Sequence, residues 1–541
     1  MIQNKMDFSM YINRFFTYLV TSIILVGCSG YEIDYDTDWS VPEDIIIGQP
    51  TKLDNKDTFN MYGSFDNNEI HQNIAVLLPL SGNNAQIGKS IRASVEMAVL
   101  ERNSDNVSVS FYDTVPDIHN TITNVLMTSP DAIIGPLFAN DAKALRNAKP
   151  ASLPVLSFTS DANAIGNGVM TMALMPTNSV EEIVKQMKSD DAKKFIIIAP
   201  DNKSGHLMAG TAKAAAEIYE MPLIGIFFYT EKDSESIKNA ASSASMYNAR
   251  TMAHTRARQI ISDILTSENL TPIEKSNLNT QLTKLEKTET VGNVPYDAIL
   301  FLGNGDDTKA LASFLRYYNI GSRDAAFYGT TMWDGSDIAS DYTLSGAKYA
   351  TLPDTDTRFS ATYETIMGTK PNHLSGFGYD ATNLVMNMLS SNKTNAEYLL
   401  SPSGYIGTDG LFKIKQNGNN ERALRIMKLN GTGTPTEIRR SATNFLTPMY
   451  SIEQQDITPA DAMDMETYGL NPNDYIRLPE RLRNKYHSKT IGANVKKQHK
   501  IQPENIVTIE SDETTISTPE YQSAKPDSVK RTYIEEYEIE E

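Results

Sequence analysis

The chain's histidines, His71, His119, His206, His254, His373, His487 and His499, are its natural candidates for metal ligation or general-base catalysis. Their spacing serves neither, because no H-E-x-x-H pair sets two imidazoles one helical turn apart. No G-x-S-x-G elbow and no Walker lysine loop is present. Ser345 and Lys348 have the S-x-x-K spacing of a serine nucleophile with a lysine base, but the K-T-G and S-D-N partners of that chemistry are missing. A chance match is expected. Gly303-Asn304-Gly305-Asp306-Asp307 is glycine-rich after an apolar run, yet it lacks the third glycine and the spacing of a dinucleotide fingerprint. No carboxylate pair stands out from the acidic background. Catalysis is therefore not expected, no cofactor or metal is implied, and binding is the chemistry left to consider.

The single cysteine, Cys28, follows the apolar run Phe15–Val26, which is too short for an ordinary membrane span and is preceded by Lys5 and Arg14. That arrangement reads as a secretory signal peptide over residues 1–27. The order Leu25-Val26-Gly27-Cys28 resembles a bacterial lipobox, which implies that Cys28 carries lipid and becomes the first mature residue. Ser29 stands where an aspartate favours the inner membrane in such signals, so the periplasmic face of the outer membrane is expected, with the lipid as the only membrane contact. No thiol is then left for a disulfide. The formal net charge of −18 repels nucleic acid.

Around these residues the chain divides by composition. Residues 28–72 are acidic and polar without periodicity and read as a flexible tether. From Asn73, continuous apolar strands such as Ile74–Leu78 alternate with helices, and Ile87, Ile91, Val95, Ala98 and Val99 give the first helix one apolar face. Unbroken apolar strands between helices imply parallel sheets covered on both faces, hence an α/β fold of two Rossmann-like lobes. The first lobe is expected at about 73–178 and the second at about 192–330, with 331–445 returning to both. A helical insertion is expected at 234–290: Ala253, Ala257, Ile260 and Ile264 share one face, and Leu278, Leu282 and Leu285 another. Between them Thr271, Pro272 and Glu274 spell a capping box. Residues 446–541 carry no core pattern and read as mostly disordered.

In open α/β sheets, ligands sit at the carboxyl ends of strands. The loops there are Pro79–Gly88, Gly135–Asp141, Ser157–Ala162, Ala199–His206, Gly303–Asp307 and Gly329–Gly335, all rich in small and hydroxyl residues. Gln86, Asn202, Asn304 and Trp333 are candidate ligand contacts on them.

The stretch "IAVLLPLSGNNAQIGKSIRASVEMAV" is similar to the opening of type 1 periplasmic binding proteins of the Leu/Ile/Val-binding group. Together with "DAIIGPLFANDAKAL", "FYGTTMWDG" and "GYIGTDGLFKIKQNGNNERALRIMKL", the chain from 73 to 445 resembles the alphaproteobacterial lipoproteins called penicillin-binding protein activators, a branch of that superfamily. The resemblance implies a two-lobed Venus-flytrap architecture closing about a hinge, with Ser81, Gly82, Ser157 and Thr159 as ligand contacts. Two departures speak against tight binding of a free amino acid. Ile87 stands where an aromatic is frequent, and Phe138-Ala139-Asn140-Asp141 replaces a Gly-x-x-Ser-type loop. The implied function is non-enzymatic activation of a peptidoglycan synthase, with a bifunctional penicillin-binding protein as partner and an amino acid or muropeptide as candidate small-molecule ligand. The alternative is a substrate-binding component of an ABC transporter for amino acids or similar solutes.

Overall fold

The structure, a computed structural model, describes residues 57–59, 72–102, 106–391, 396–445, 455–458, 461 and 469–488. Cys28, the apolar run before it, most of the segment expected as a tether and residues 489–541 lie outside these.

Strand β2 (Gln72–Leu78) shows why an unbroken apolar run means a covered strand. Ile74, Val76 and Leu78 enter one cluster, and Ala75 and Leu77 another on the opposite face. With period-2 alternation both faces must be dry for this sequence to be stable. Its sheet has the order β1-β3-β2-β4-β5-β6, adding β1 (Asp57–Phe59), β3 (Val107–Asp113), β4 (Ala132–Ile134), β5 (Val155–Ser157) and β6 (Val169–Thr171). All pairings are parallel except β1, which runs antiparallel along the outer edge of β3. Residues expected in the tether thus include a strand; three residues are too few to show periodicity, and backbone pairing places them. Helix α1 (Ala85–Arg102) covers one face through Ile91, Val95 and Val99. Helices α2 (Ile118–Met127) and α3 (Ala139–Ala148) cover the other through Ile122, Val125 and Leu145.

The chain then passes into α4 (Pro176–Ser189) and a second sheet. Its parallel strands are β7 (Phe195–Pro200), β8 (Leu223–Tyr229), β9 (Ala298–Phe301), β10 (Ala326–Gly329) and β11 (Lys348–Thr351). Helix α5 (Lys203–Ile218) lies on one face, and α6 (Ser234–Ala244) on the other with α9 (Gly305–Tyr317). Helix α6 buries Ile237, Ala240, Ala241 and Ala244 in that core. It is an ordinary crossover helix, so the inserted element is narrower than 234–290. What is inserted is a hairpin of α7 (Tyr247–Ser267) and α8 (Pro272–Leu285). Ala257, Ile260, Ile261 and Ile264 meet Leu278 and Leu285. The capping box forms: the Glu274 amide donates to Thr271 Oγ1 (3.3 Å), and the Thr271 amide to Glu274 Oε2 (2.8 Å).

The hairpin is closed by residues expected to be disordered. Ile476, Leu478 and Leu482 complete its core, and Arg481 pairs with Glu274 at 3.0 Å. Only a glycine at 292, with φ +81°, leaves room for the Tyr475 ring, whose hydroxyl would lie 2.6 Å from a Cβ. Three apolar residues within seven positions make no detectable stripe, and they acquire a partner only when the hairpin has formed.

Leu352–Asp356 carries the chain back to α10 (Thr357–Met367) and α11 (His373–Ser390), which packs on α1. A Cβ at Gly378 would lie 2.7 Å from Ser94 Oγ, so glycine sets that close approach. A small antiparallel sheet follows: β12 (Tyr405–Gly407), β13 (Gly410–Ile414) and β14 (Asn420–Arg422). Through Ala423–Leu424 the chain re-enters the second sheet as β15 (Arg425–Lys428) and β16 (Thr436–Arg439), which extend it antiparallel beyond β11. The connections at 172–175, 352–356 and 423–424 join the two lobes.

Candidate functional site

Strand order reverses at β2/β4 in the first sheet and at β7/β9 in the second. At such a reversal the connections leave in opposite directions and open a crevice beyond the strand ends. The loops following β2, β4, β7 and β9 are therefore the places to look.

After β2, Ser81 precedes a single 3-10 turn, Gly82–Asn84, and its hydroxyl makes no capping bond. Gly82 has φ +68°, a backbone that favours glycine, and it and Gln86 are exposed. Asp113, at the end of β3, positions this loop by accepting from the amides of Leu80 (2.9 Å) and Val115 (3.1 Å). A side chain at Gly88 would strike the Pro79 carbonyl, so the start of α1 is held directly against the loop. Ser81, Gly82 and Gln86 are thus brought together at the first reversal.

The other expected contacts are engaged within the protein. Ser157 is fully buried, and its hydroxyl donates to the Pro136 carbonyl at 2.7 Å. Thr159 is buried beside it; its Oγ1 accepts from the Asp161 amide at 3.1 Å and its carbonyl from Thr171 Oγ1 at 2.6 Å. At the second reversal Asn202 and Asn304 cap α5 and α9, accepting from the amides of Gly205 and Asp307, each at 2.9 Å. Their amide groups donate to Glu231 (2.8 Å) and Asp307 (2.9 Å). Trp333 does not face solvent. At 1% exposure it lies against Phe301 and Tyr349, over the space that the missing side chain of Gly329 leaves, and its Nε1 donates to Thr308 Oγ1 at 3.2 Å. Trp333, expected as a ligand contact, is instead core: its large apolar area is covered and its indole N–H has a partner in Thr308.

Sequence reasoning missed the buried carboxyl of Asp334 and the pair that His373 makes with Asp409. Asp334, after β10, accepts from Thr351 Oγ1, and burial pushes its carboxyl up against the opposing charges of His373 and Arg425. His373 opens α11 on the first lobe. Its Nδ1 meets Asp409 Oδ1 at 3.0 Å, and that hydrogen bond holds the imidazole above its ordinary value. A lone histidine at a helix start carries no sequence cue; the His373–Asp409 pair exists only in three dimensions.

Among the described residues, no group of three or more His, Cys, Asp or Glu is arranged to hold a metal ion. Lys348, of the S-x-x-K spacing with Ser345, pairs with Asp190 at 2.7 Å. No helix among the described residues is long and apolar enough to cross a membrane.

Two α/β lobes joined by three connections, with crevice-forming reversals at the strand ends, define a binding-protein architecture. The chain belongs to the periplasmic binding protein family, whose sequence profile matches residues 71–456. Among solved structures it is similar to a putative branched-chain amino acid ABC transporter protein from Rhodospirillum rubrum, at 14% identity and TM-score 0.52, covering 68% of this chain and 100% of the other. It is also similar to the C-domain of LpoA from Haemophilus influenzae, a regulator of PBP1A, at 16% identity and TM-score 0.46, covering 68% and 100%. A third is the LivJ protein from Streptococcus pneumoniae in complex with isoleucine, at 16% identity and TM-score 0.43, covering 69% and 100%. A search of curated protein sequences finds no match. At these identities the likenesses concern the fold alone.

Proposed function

We propose that this is a lipid-anchored periplasmic protein, attached through Cys28 to the outer membrane, that performs no catalysis and activates a bifunctional penicillin-binding protein. The observation that carries the reading is the state of the crevice. Ser157, Thr159 and Trp333, expected as ligand contacts, are engaged inside the lobes. A binding-protein fold whose crevice contacts are engaged in this way is suited to act through its outer surfaces. The lipobox-like Cys28 and the 73–445 motifs support the same branch of the family. The partner-facing surface in this reading is the outward side of the α7–α8 hairpin, where Met252 and Ile273 are exposed; its inward side is covered by Ile476, Leu478 and Leu482.

Capture of a bifunctional penicillin-binding protein by the full chain tests this. Capture that is lost in a Met252→Asp/Ile273→Asp variant supports it, and absence of capture by the unaltered chain overturns it. One observation favours a second reading, delivery of an amino acid or related solute to a transporter: the Ser81 hydroxyl is free of capping and stands at the first reversal. Calorimetric binding of an amino acid, lost in Ser81→Ala, would establish that reading instead.

A further inference from the structure

A groove of about 760 Å³ runs along α7 where Met252 is exposed, with His487 and Ser488 as its other wall. Met252 and Arg256 stand one helical turn apart on α7, and Thr251 and Thr255 repeat that spacing beside them, so all four share one side of the helix. No Asp or Glu lines this groove, in a chain whose net charge is −18. Arg256 makes no ion pair or hydrogen bond among the described residues. The Thr251 hydroxyl is covered from solvent and has no hydrogen-bond partner. Gln259, further along the same wall, is engaged, donating to Asp263 at 2.7 Å.

The carboxylates of the hairpin are committed to other cations. Glu286 lies 4.0 Å from Arg258, Glu274 pairs with Arg481 at 3.0 Å, and Glu268 accepts from Lys485 and from Tyr486, the latter at 2.7 Å. Arg256 is left with a planar set of N–H donors and no acceptor, a geometry matched by the two oxygens of a carboxylate. Methionine and arginine are both enriched where proteins meet, and here they stand side by side and exposed.

We propose that this groove seats a segment of the synthase in which a carboxylate stands within a few residues of an apolar side chain. Arg256 takes the carboxylate through two parallel N–H bonds, a fork that a lysine cannot reproduce. The Thr251 hydroxyl gains the partner it lacks, and Met252, unbranched and adaptable, covers the apolar side chain. A wall free of acidic residues adds no repulsion against such a segment, which an average surface of this acidic chain would. The inference rests on the proposed synthase partner and adds the chemistry that the partner brings to this face.

The test measures the affinity of the full chain for a bifunctional penicillin-binding protein by surface plasmon resonance. Arg256→Glu should weaken it about tenfold or more, and Arg256→Lys, which keeps the charge and loses the fork, severalfold. Arg323→Glu makes the same charge change outside the groove and should leave affinity within about twofold. Affinity should fall as salt rises from about 50 to about 300 mM, and fall less steeply in Arg256→Glu. Thermal unfolding of the Arg256 variants should match that of the unaltered chain, since the side chain is exposed and unpaired. Capture that persists unchanged in Arg256→Glu, or that Arg323→Glu weakens as much, overturns this proposal and leaves the synthase reading standing. Absence of capture by the unaltered chain overturns both. An Arg256-dependent dimer of the chain alone, seen in sedimentation, also overturns the proposal, because a second copy then fills the groove.

Discussion

Replacing Glu181 by glutamine should leave stability nearly unchanged at pH 4 and raise it at pH 8. Glu181 lies on α4 with 9% of its surface exposed, and no hydrogen bond or ion pair to it is present among the described residues. Burial is the main cause that moves its carboxyl from an ordinary 4.5 to about 7. Between those values the native group keeps a proton that the unfolded chain has released, so stability falls as pH rises through the window. Below 4.5 both states are protonated and the group is neutral to folding; above 7 both are ionised and the full cost is present. At about 1.36 kcal/mol per pH unit, the interval corresponds to about 3 kcal/mol. An amide of the same shape cannot ionise and forfeits no hydrogen bond. Urea unfolding of the two proteins, measured in parallel at pH 4, 6 and 8, isolates the effect, because titrating groups distant from Glu181 cancel in the difference. A difference that stays flat with pH, or that favours the wild type at pH 8, refutes the account of this carboxyl.

Other consequences can be checked directly. Leu478→Ala should weaken the seal of residues 469–488 on the α7–α8 hairpin by about 2–5 kcal/mol, the range for buried leucines. Amide exchange of α7 and α8 should then quicken while that of β7 and β9 does not change. Trp333→Ala should destabilise the second lobe by about 3–5 kcal/mol in thermal or urea unfolding. Since the ring faces core, any ligand found for the crevice should bind the still-folded variant with unaltered affinity. Thr271→Ala should cost about 1 kcal/mol by removing the capping box of α8.

The parts of the fold legible in the sequence were those in which one physical demand dominates. Ile74–Leu78 is apolar at every position because both faces are covered, and Ile91, Val95, Ala98 and Val99 repeat at helical spacing because one face is. Thr271-Pro272-x-Glu274 reads as a helix start because its hydrogen bonds are local. What escaped depends on distant chain. Ile476, Leu478 and Leu482 look like scattered residues until the hairpin provides a surface for them. Trp333 sits in a run of loop residues and looks ligand-facing; only the empty space above Gly329 shows where it goes. Ser157 and Asn202 have the residue types of ligand donors, yet hydroxyls and amides serve equally to satisfy nearby backbone, and that choice is made by geometry. At the first reversal, Ser81, Gly82 and Gln86 were named from sequence and stand together, while Asp113, which secures their loop, carried no signal of its own.

The core does not stop at the join. A single apolar cluster includes Val76 and Leu78 of the first sheet, Met172 in the connection, Val180 and Val184 of α4, and Ile197 and Ala199 of the second sheet. Melting either lobe would strip dry surface from the other, so the pair should behave as one cooperative body. Scanning calorimetry should register a single endotherm, with no window of temperature in which half the molecule persists.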